Sequence, residues 1–171
     1  MKWDEYFFQI ATVVAKNSKC LSRQVGAILV HDKSIICTGF NGPPRGISHC
    51  NERYETDKFL MEELDRRGIK KGENFNTMRC PRQVLGYKSG DGLNFCHASH
   101  GERNVILTAA RLGISTYGKK LYCNCGVPCG DCLIEIIQSG IEEVVVASKE
   151  YYDRKSEFLV SNSKLKIRTY N

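Results

Sequence analysis

The residues best suited to chemistry are His100-Gly101-Glu102 and, further along, Pro128-Cys129-Gly130-Asp131-Cys132. Two thiolates and one imidazole give a zinc ion three protein ligands and leave its fourth tetrahedral position for water. Structural zinc sites usually close on four ligands, so a set of three points to catalysis. Zinc lowers the pKa of bound water to about 7. A carboxylate at Glu102, beside the metal but not a ligand, can take up that proton and pass it to a leaving group. A lone Cys-x-x-Cys is as readily a redox pair or half of a zinc ribbon, and a lone His-x-Glu says little. Together, each opening a predicted helix with a strand between, they predict His100, Cys129 and Cys132 as ligands and Glu102 as proton shuttle. Helix N-termini favour anions, which helps hold both cysteines as thiolates.

Those ligands need elements to hold them. Residues 3–18 read as an amphipathic helix, apolar at Phe7, Ile10, Ala11 and Val14. Two Val/Ile-rich strands, 25–31 and 34–40, flank an Asp32-Lys33 turn and predict a hairpin. A polar helix is expected over 52–67. Then follow a helix at 101–112 ending at Gly113, a strand at 119–124, a helix at 129–139 stopped by Gly140, and a Val-rich strand at 143–148. The last is apolar enough for burial on both faces. A helix at 152–161 and a strand at 165–169 complete the pattern. Strands alternating with helices imply parallel β-α-β units, so the fold class is α/β, a hairpin feeding a three-layer α/β/α domain. From 42 to 99 the pattern loosens, with turn chemistry at Gly42-Pro43-Pro44 and Gly46. A long irregular stretch belongs to a functional loop or a metal-tethered insertion. The second is expected, at about 42–99, within one domain spanning 1–171.

The 171 residues are 42% hydrophobic and 26% charged, which suits one globular domain and excludes general disorder. The longest apolar stretch, 25–30, is far short of the roughly 20 residues a bilayer needs, so no membrane partner is expected. Asp4 and Glu5 interrupt any n-region after Met1, and no signal peptide is expected. With 25 basic and 19 acidic residues the net charge is +6, which favours anionic partners such as nucleotides or nucleic acid. The basic residues are scattered, and Arg66, Arg67, Lys70 and Lys71 read as a solvated helix end and turn. Nine cysteines is an odd count, and in a reducing cytoplasm, the expected location, metal ligation or core packing replaces disulfides.

The order His-x-Glu then Pro-Cys-x-x-Cys is the known signature of the zinc-dependent deaminases. On wider stretches the chain resembles the cytidine deaminase superfamily, and most narrowly its phage-like deoxycytidylate (dCMP) deaminases. The resemblance rests on residues 22–30 (SRQVGAILV), 39–44 (GFNGPP), 100–106 (HGERNVI) and 129–141 (CGDCLIEIIQSGI). Phe40 stands where that family has Tyr, and Gly101 where it has Ala. Residues 122–128 run one residue longer than usual, which leaves the partners of Asn124 open. Cys123 and Cys125 read as packing residues rather than ligands.

The resemblance implies a central mixed five-stranded sheet with helices on both faces. It implies hydrolysis of dCMP to dUMP and ammonia, supplying dUMP for dTMP synthesis. It further implies a homo-oligomer, typically a hexamer, activated by dCTP and inhibited by dTTP, with Mg2+ accompanying the triphosphate. The loop at Asn41 and Gly42 then contacts the nucleotide sugar or forms the effector site between subunits, while Asn41 is equally readable as a turn residue. The Gly101 N–H falls at the pyrimidine carbonyl. Arg23, Arg45, Arg103 and Arg111 are candidate phosphate contacts, each also readable as a surface arginine or an intersubunit pair. Tyr151 and Tyr152 fall where such enzymes place an aromatic near the base, with core packing as the other reading of one of them. Cys20 and Cys50 match positions where phage-type relatives bind a second, structural zinc. Cys80 and Cys96 bracket the insertion, and His49 or His97 can substitute for one ligand. Two other readings compete: a polynucleotide deaminase acting on tRNA adenosine, and a noncatalytic zinc module that binds nucleic acid. The long insertion and the Gly-Phe-Asn-Gly-Pro-Pro segment fit a mononucleotide enzyme, for which no nucleic-acid partner is expected, and the noncatalytic module has no use for Glu102.

Overall fold

A tight hairpin organises the sheet. Helix α1 (Trp3–Ala15) leads into β1 (Gly26–His31), which pairs antiparallel with β2 (Ser34–Phe40). Asp32 and Lys33 turn the chain at φ 45° and 63°, positive at both central residues as a two-residue hairpin of type I′ requires. On its other edge β1 pairs antiparallel with β3 (Lys120–Cys123), which runs parallel to β4 (Glu143–Val146), itself parallel to β5 (Lys166–Thr169). The described residues thus form a mixed five-stranded sheet in the order β2-β1-β3-β4-β5.

The computed structural model describes residues 1–72 and 75–171; residues 73 and 74, inside the expected insertion, lie outside the described residues. The described residues fall into two compact units. One comprises Met1–Ser18, Val25–Asn41 and His100–Asn171, and the other Lys19–Gln24 and Gly42–Ser99.

In the first unit, period-two alternation divides the strands between two cores. Ala27, Leu29, Leu121, Cys123, Val144 and Val146 face the helices that follow 100, packing on Val105, Ala109, Leu133 and Ile136. Ile28, Val30, Tyr122 and Val145 face α1 through Phe7 and Ala11. The sheet therefore carries helices on both faces, and β4 is buried at all four positions, as its run of valines requires. Two glycines set how closely the layers approach. A Cβ on Gly26 would lie 2.3 Å from the Ala11 carbonyl oxygen of α1, and one on Gly39 would lie 2.5 Å from the Val105 nitrogen.

The second unit has its own core of Tyr54, Leu60, Leu64, Leu85 and Phe95. The single helix expected over 52–67 is instead two, α2 (Arg53–Thr56) and α3 (Lys58–Arg66). Asp57 breaks it: the residue leaves the helical region, and its side chain accepts the Leu60 N–H at 3.1 Å as the cap of α3. The Arg53 guanidinium holds that carboxylate at 2.8 and 3.0 Å. The stretch expected to be irregular also contains α4 (Pro81–Val84) and a 3-10 turn at Leu93–Phe95.

Back in the first unit, α5 (Gly101–Arg111), α6 (Gly130–Gln138) and α7 (Arg154–Ser161) begin within a residue or two of the predicted starts. Helix α7 starts later than expected because Asp153 caps it, accepting the Ser156 N–H at 2.6 Å. Among the described residues no helix is long and apolar enough to cross a membrane.

Candidate metal centre

His100 and Cys129 occupy equivalent positions, each the residue just before a helix, α5 and α6 respectively. Both are extended there, so the side chains project past the helix ends instead of along their sides. Cys132 lies in the first turn of α6. The result is a knot of soft donors. His100 Nδ1 lies 3.5 Å from Cys129 Sγ and 3.3 Å from Cys132 Sγ, and the three ligand atoms lie within 4.8 Å of one another. A tetrahedral zinc with Zn–N near 2.05 Å and Zn–S near 2.3 Å separates nitrogen from sulfur by about 3.6 Å. The observed spacings match that edge to within a few tenths of an ångström, so the donor set fits the metal without rearrangement.

The electrostatics are those of a site poised for a cation. A hydrogen bond from the Cys132 thiol, together with His100, pulls Cys129 down to about 4. The thiolate at Cys129 in turn drives Cys132 up and raises His100. A divalent ion held by these donors would stabilise both sulfurs as thiolates.

Glu102 sits in the first turn of α5 at 4% exposure. Its Oε1 accepts the Cys125 S–H at 3.8 Å, and its buried Oε2 has no hydrogen-bond partner. Burial pushes this carboxyl up from its ordinary range. An orphaned buried carboxylate oxygen near the candidate ligand set is costly to keep, and a polar group bound there would relieve that cost. The Gly101 position is tight as well: a Cβ there would lie 2.9 Å from the Val25 carbonyl oxygen.

Neighbouring bonds hold the two helix ends. Arg103 Nε donates to Glu135 Oε2 at 2.8 Å, tying α5 to α6 and committing this candidate phosphate ligand to an ion pair. Ser156 Oγ donates to the Pro128 carbonyl at 3.0 Å, and Asp153 Oδ2 accepts the Gly130 N–H at 3.3 Å. Asp153 and Ser156 escaped the sequence reading, although their Asp-x-x-Ser spacing is that of a helix cap.

Two asparagines frame the first residues of β1. Asn41 is buried, and its Oδ1 accepts the Val25 N–H at 2.7 Å while its own backbone N–H returns a bond to the Val25 carbonyl. Asn124 Oδ1 accepts the Gly26 N–H at 2.9 Å, which answers what the lengthened segment bonds to. Tyr151 and Tyr152, each 44% exposed, precede α7 and pack in no core. Arg23 and Arg111 are exposed, and Arg111 closes α5 roughly 16 Å along the helix from His100 at 1.5 Å per residue.

In the second unit Arg45 is exposed, and Gly42 exchanges backbone hydrogen bonds with Ser99 at 3.1 and 2.8 Å. The four other predicted ligands also lie here. Burial and the nearby thiols of Cys20, Cys80 and Cys96 push Cys50 up to about 11. Cys20, His49, Cys50 and His97 line one small cavity, in which the buried His49 Nδ1 has no hydrogen-bond partner. Arg53 lines it as well, donating to the Phe95 carbonyl at 2.7 Å and meeting His97 Nε2 at 3.4 Å. Among the described residues, two groups of three donors meet within 4.8 Å: the His100 set, and Glu102 with Cys123 and Cys125.

Residues 1–148 match the sequence model of the cytidine and deoxycytidylate deaminase zinc-binding region. The deoxycytidylate deaminase of Schizosaccharomyces pombe is 32% identical over 168 residues, covering 98% of this chain but 44% of its own length. The chain thus spans less than half of that relative. The deoxycytidylate deaminase of Enterobacteria phage T2 is 34% identical over 151 residues, covering 85% of this chain and 79% of its own. The crystal structure of the dCMP deaminase from cyanophage S-TIM5, in complex with dCMP and dUMP, superposes with a TM-score of 0.66 at 21% identity. It covers 99% of this chain and 98% of its own, which establishes the shared fold.

Proposed function

The chain belongs to the cytidine and deoxycytidylate deaminase family, and from that premise we propose that it hydrolyses dCMP to dUMP and ammonia in a zinc-dependent reaction. The observation that carries the reading is the unpartnered Oε2 of Glu102 beside the His100–Cys129–Cys132 donor set. A zinc ion held by those three residues supplies Lewis acidity and lowers the pKa of water to about 7. The chain's own groups do the rest. Glu102, whose affinity for a proton is raised by burial, takes one from the attacking water and delivers it to the departing amine. The Gly101 N–H, at the start of α5, is a donor for the pyrimidine carbonyl. Tyr152, exposed ahead of α7, is a platform for the base.

The finer parts of the proposal concern metals, assembly and regulation. A second zinc is held around Cys50 by Cys20, Cys80 and Cys96, with His49 or His97 as substitutes, tethering the 42–99 insertion within the 1–171 domain. The nearness of the other three thiols to Cys50 and the partnerless His49 Nδ1 support it, although among the described residues no three of these donors meet within 4.8 Å. The protein acts in the cytoplasm as a homo-oligomer, a hexamer, with dCTP as activator and dTTP as inhibitor, each accompanied by Mg2+. Asn41 and Gly42, with Arg23 and Arg111, are the residues proposed to meet substrate or effector. Its product feeds dTMP synthesis.

Steady-state ammonia release from dCMP, dCTP and cytidine, with and without added dCTP or dTTP, tests this reading. Turnover of dCMP above the other two is the expected result. Deamination of a stem-loop RNA in place of dCMP would overturn the substrate assignment, and no ammonia from any of them, in protein carrying one zinc at His100, would overturn the activity.

A further inference from the structure

Cys123 and Cys125 have no role in the reaction proposed above, yet their sulfurs lie 3.1 Å apart beside the proton shuttle. With the Glu102 carboxylate they form a group whose donor atoms lie within 4.8 Å of one another. The approach is built into the backbone. Cys123 ends β3, and the chain bends immediately after it, at residues 124–127, so that Cys125 turns back beside Cys123. Between them Asn124 is fixed by two bonds to Gly26, its N–H to the carbonyl at 3.1 Å and its Oδ1 from the N–H at 2.9 Å. The Cys125 carbonyl is in turn fixed by the Ala147 N–H at 2.8 Å. Cys123 is fully buried, whereas Cys125 is partly exposed and donates its S–H to Glu102 Oε1 at 3.8 Å.

We propose that Cys123 and Cys125 are an oxidisable dithiol, a modification site for hydroperoxides, whose disulfide form holds Glu102 out of register and silences the enzyme reversibly. The more accessible Cys125 sulfur attacks the peroxide, the O–O bond breaks, and water leaves with the thiol proton, giving a sulfenic acid. Cys123 then attacks the Cys125 sulfur, the S–O bond breaks, and its proton leaves with hydroxide as a second water. Two thiols and one hydrogen peroxide thus give one disulfide and two waters. Closing a 3.1 Å contact to a covalent bond draws the sulfurs together by about 1 Å. It also removes the S–H that Glu102 Oε1 accepts. With that bond gone, a displacement of Glu102 by about 1 Å would cost roughly 10²-fold in rate.

The test uses zinc-loaded protein freed of reductant, treated with hydrogen peroxide, quenched with N-ethylmaleimide and cleaved with trypsin. The peptide of residues 121–149 carries Cys123, Cys125, Cys129 and Cys132. It should hold a Cys123–Cys125 disulfide, with the other two alkylated after the metal is removed. Zinc content should stay constant while dCMP turnover falls roughly 10²-fold and returns with dithiothreitol. Cys123→Ala should show no dithiothreitol-reversible loss; if it fails to fold, the wild-type peptide decides alone. Alkylation of both Cys123 and Cys125 in the inactivated protein, zinc loss in step with activity, or unchanged turnover once the disulfide has formed would each overturn the proposal. The activity arm rests on the deaminase reading, whereas the peptide map reads the dithiol whatever the substrate, so the two failures are distinct.

Discussion

Glu102→Gln separates proton transfer from metal holding. The carboxylate is 4% exposed, accepts Cys125 through Oε1, and leaves Oε2 unpartnered. Glutamine keeps the shape and one oxygen for Cys125, so its amide nitrogen falls where Oε2 was and can donate but not accept a proton. A positioned acid–base group contributes about 10²–10⁴-fold, and deamination asks this one to move a proton more than once. The kcat for dCMP should therefore fall at least about 10²-fold, near 2.7 kcal/mol at 1.36 kcal/mol per decade. Zinc should stay at one per chain in this centre, because neither carboxylate oxygen belongs to the His100 donor set. Stability should move the other way. Burial raises the Glu102 pKa above its ordinary 4.5, so between the two values the folded state binds more protons than the unfolded one. Its contribution is then intact below the unfolded pKa and lost as pH rises through the folded one. The zinc-free variant should melt higher than zinc-free wild type at pH 7, with the gain shrinking toward pH 4. Ammonia release at saturating dCMP, zinc by atomic absorption and a thermal melt at two pH values read all three. Near-normal turnover with zinc bound would refute the proton role, and a lower melting point at neutral pH would refute the burial argument.

Cys129→Ala or Cys132→Ala should lose one zinc per chain and all measurable turnover; full activity in zinc-free variant protein would remove the metal centre. Cys50→Ala should lower the metal count from two to one and destabilise the protein markedly, since structural zinc contributes on the order of 10 kcal/mol in small peptides; a wild-type count of one leaves these cysteines as packing. Gly39→Ala puts a Cβ 2.5 Å from the Val105 nitrogen and 2.7 Å from the Gly101 carbonyl oxygen, both backbone atoms in the first half of α5. Overpacking of this kind costs about 1–3 kcal/mol, or roughly 2–12 °C in Tm, and an unchanged melt would show that α5 can lift freely. Inhibition by dTTP should shift apparent dCMP affinity by about 5–150-fold; Asn41→Ala should blunt that response while lowering stability through its lost bond to Val25, and hyperbolic kinetics unmoved by either triphosphate would end the regulatory proposal.

The placement of the candidate ligands at helix starts was legible in the sequence because its signals are local. Helix starts put His100 and Cys129 at chain positions that the hydrophobic period already marked, and β4 showed its burial as a run of valines. The Asp32-Lys33 turn was readable for the same reason, as a break between two periodic segments. Other features depend on residues far apart in sequence, which leave no local trace. Nothing near Asn124 announces that its side chain will hold Gly26, and nothing near Gly39 shows that α5 will lie against it. The expected helix over 52–67 failed for a related reason: Asp57 is as acceptable within a polar helix as at its cap, and the grip of Arg53, itself anchored on Phe95, accompanies the cap. Likewise Cys123 and Cys125 read as packing until β1 and β4 pinned the residues between and beside them, bringing two ordinary thiols into contact next to Glu102. Periodicity and caps follow from the chain's own backbone geometry, but which partner a buried polar group finds is decided when distant segments meet, because only then is water removed and the bond required.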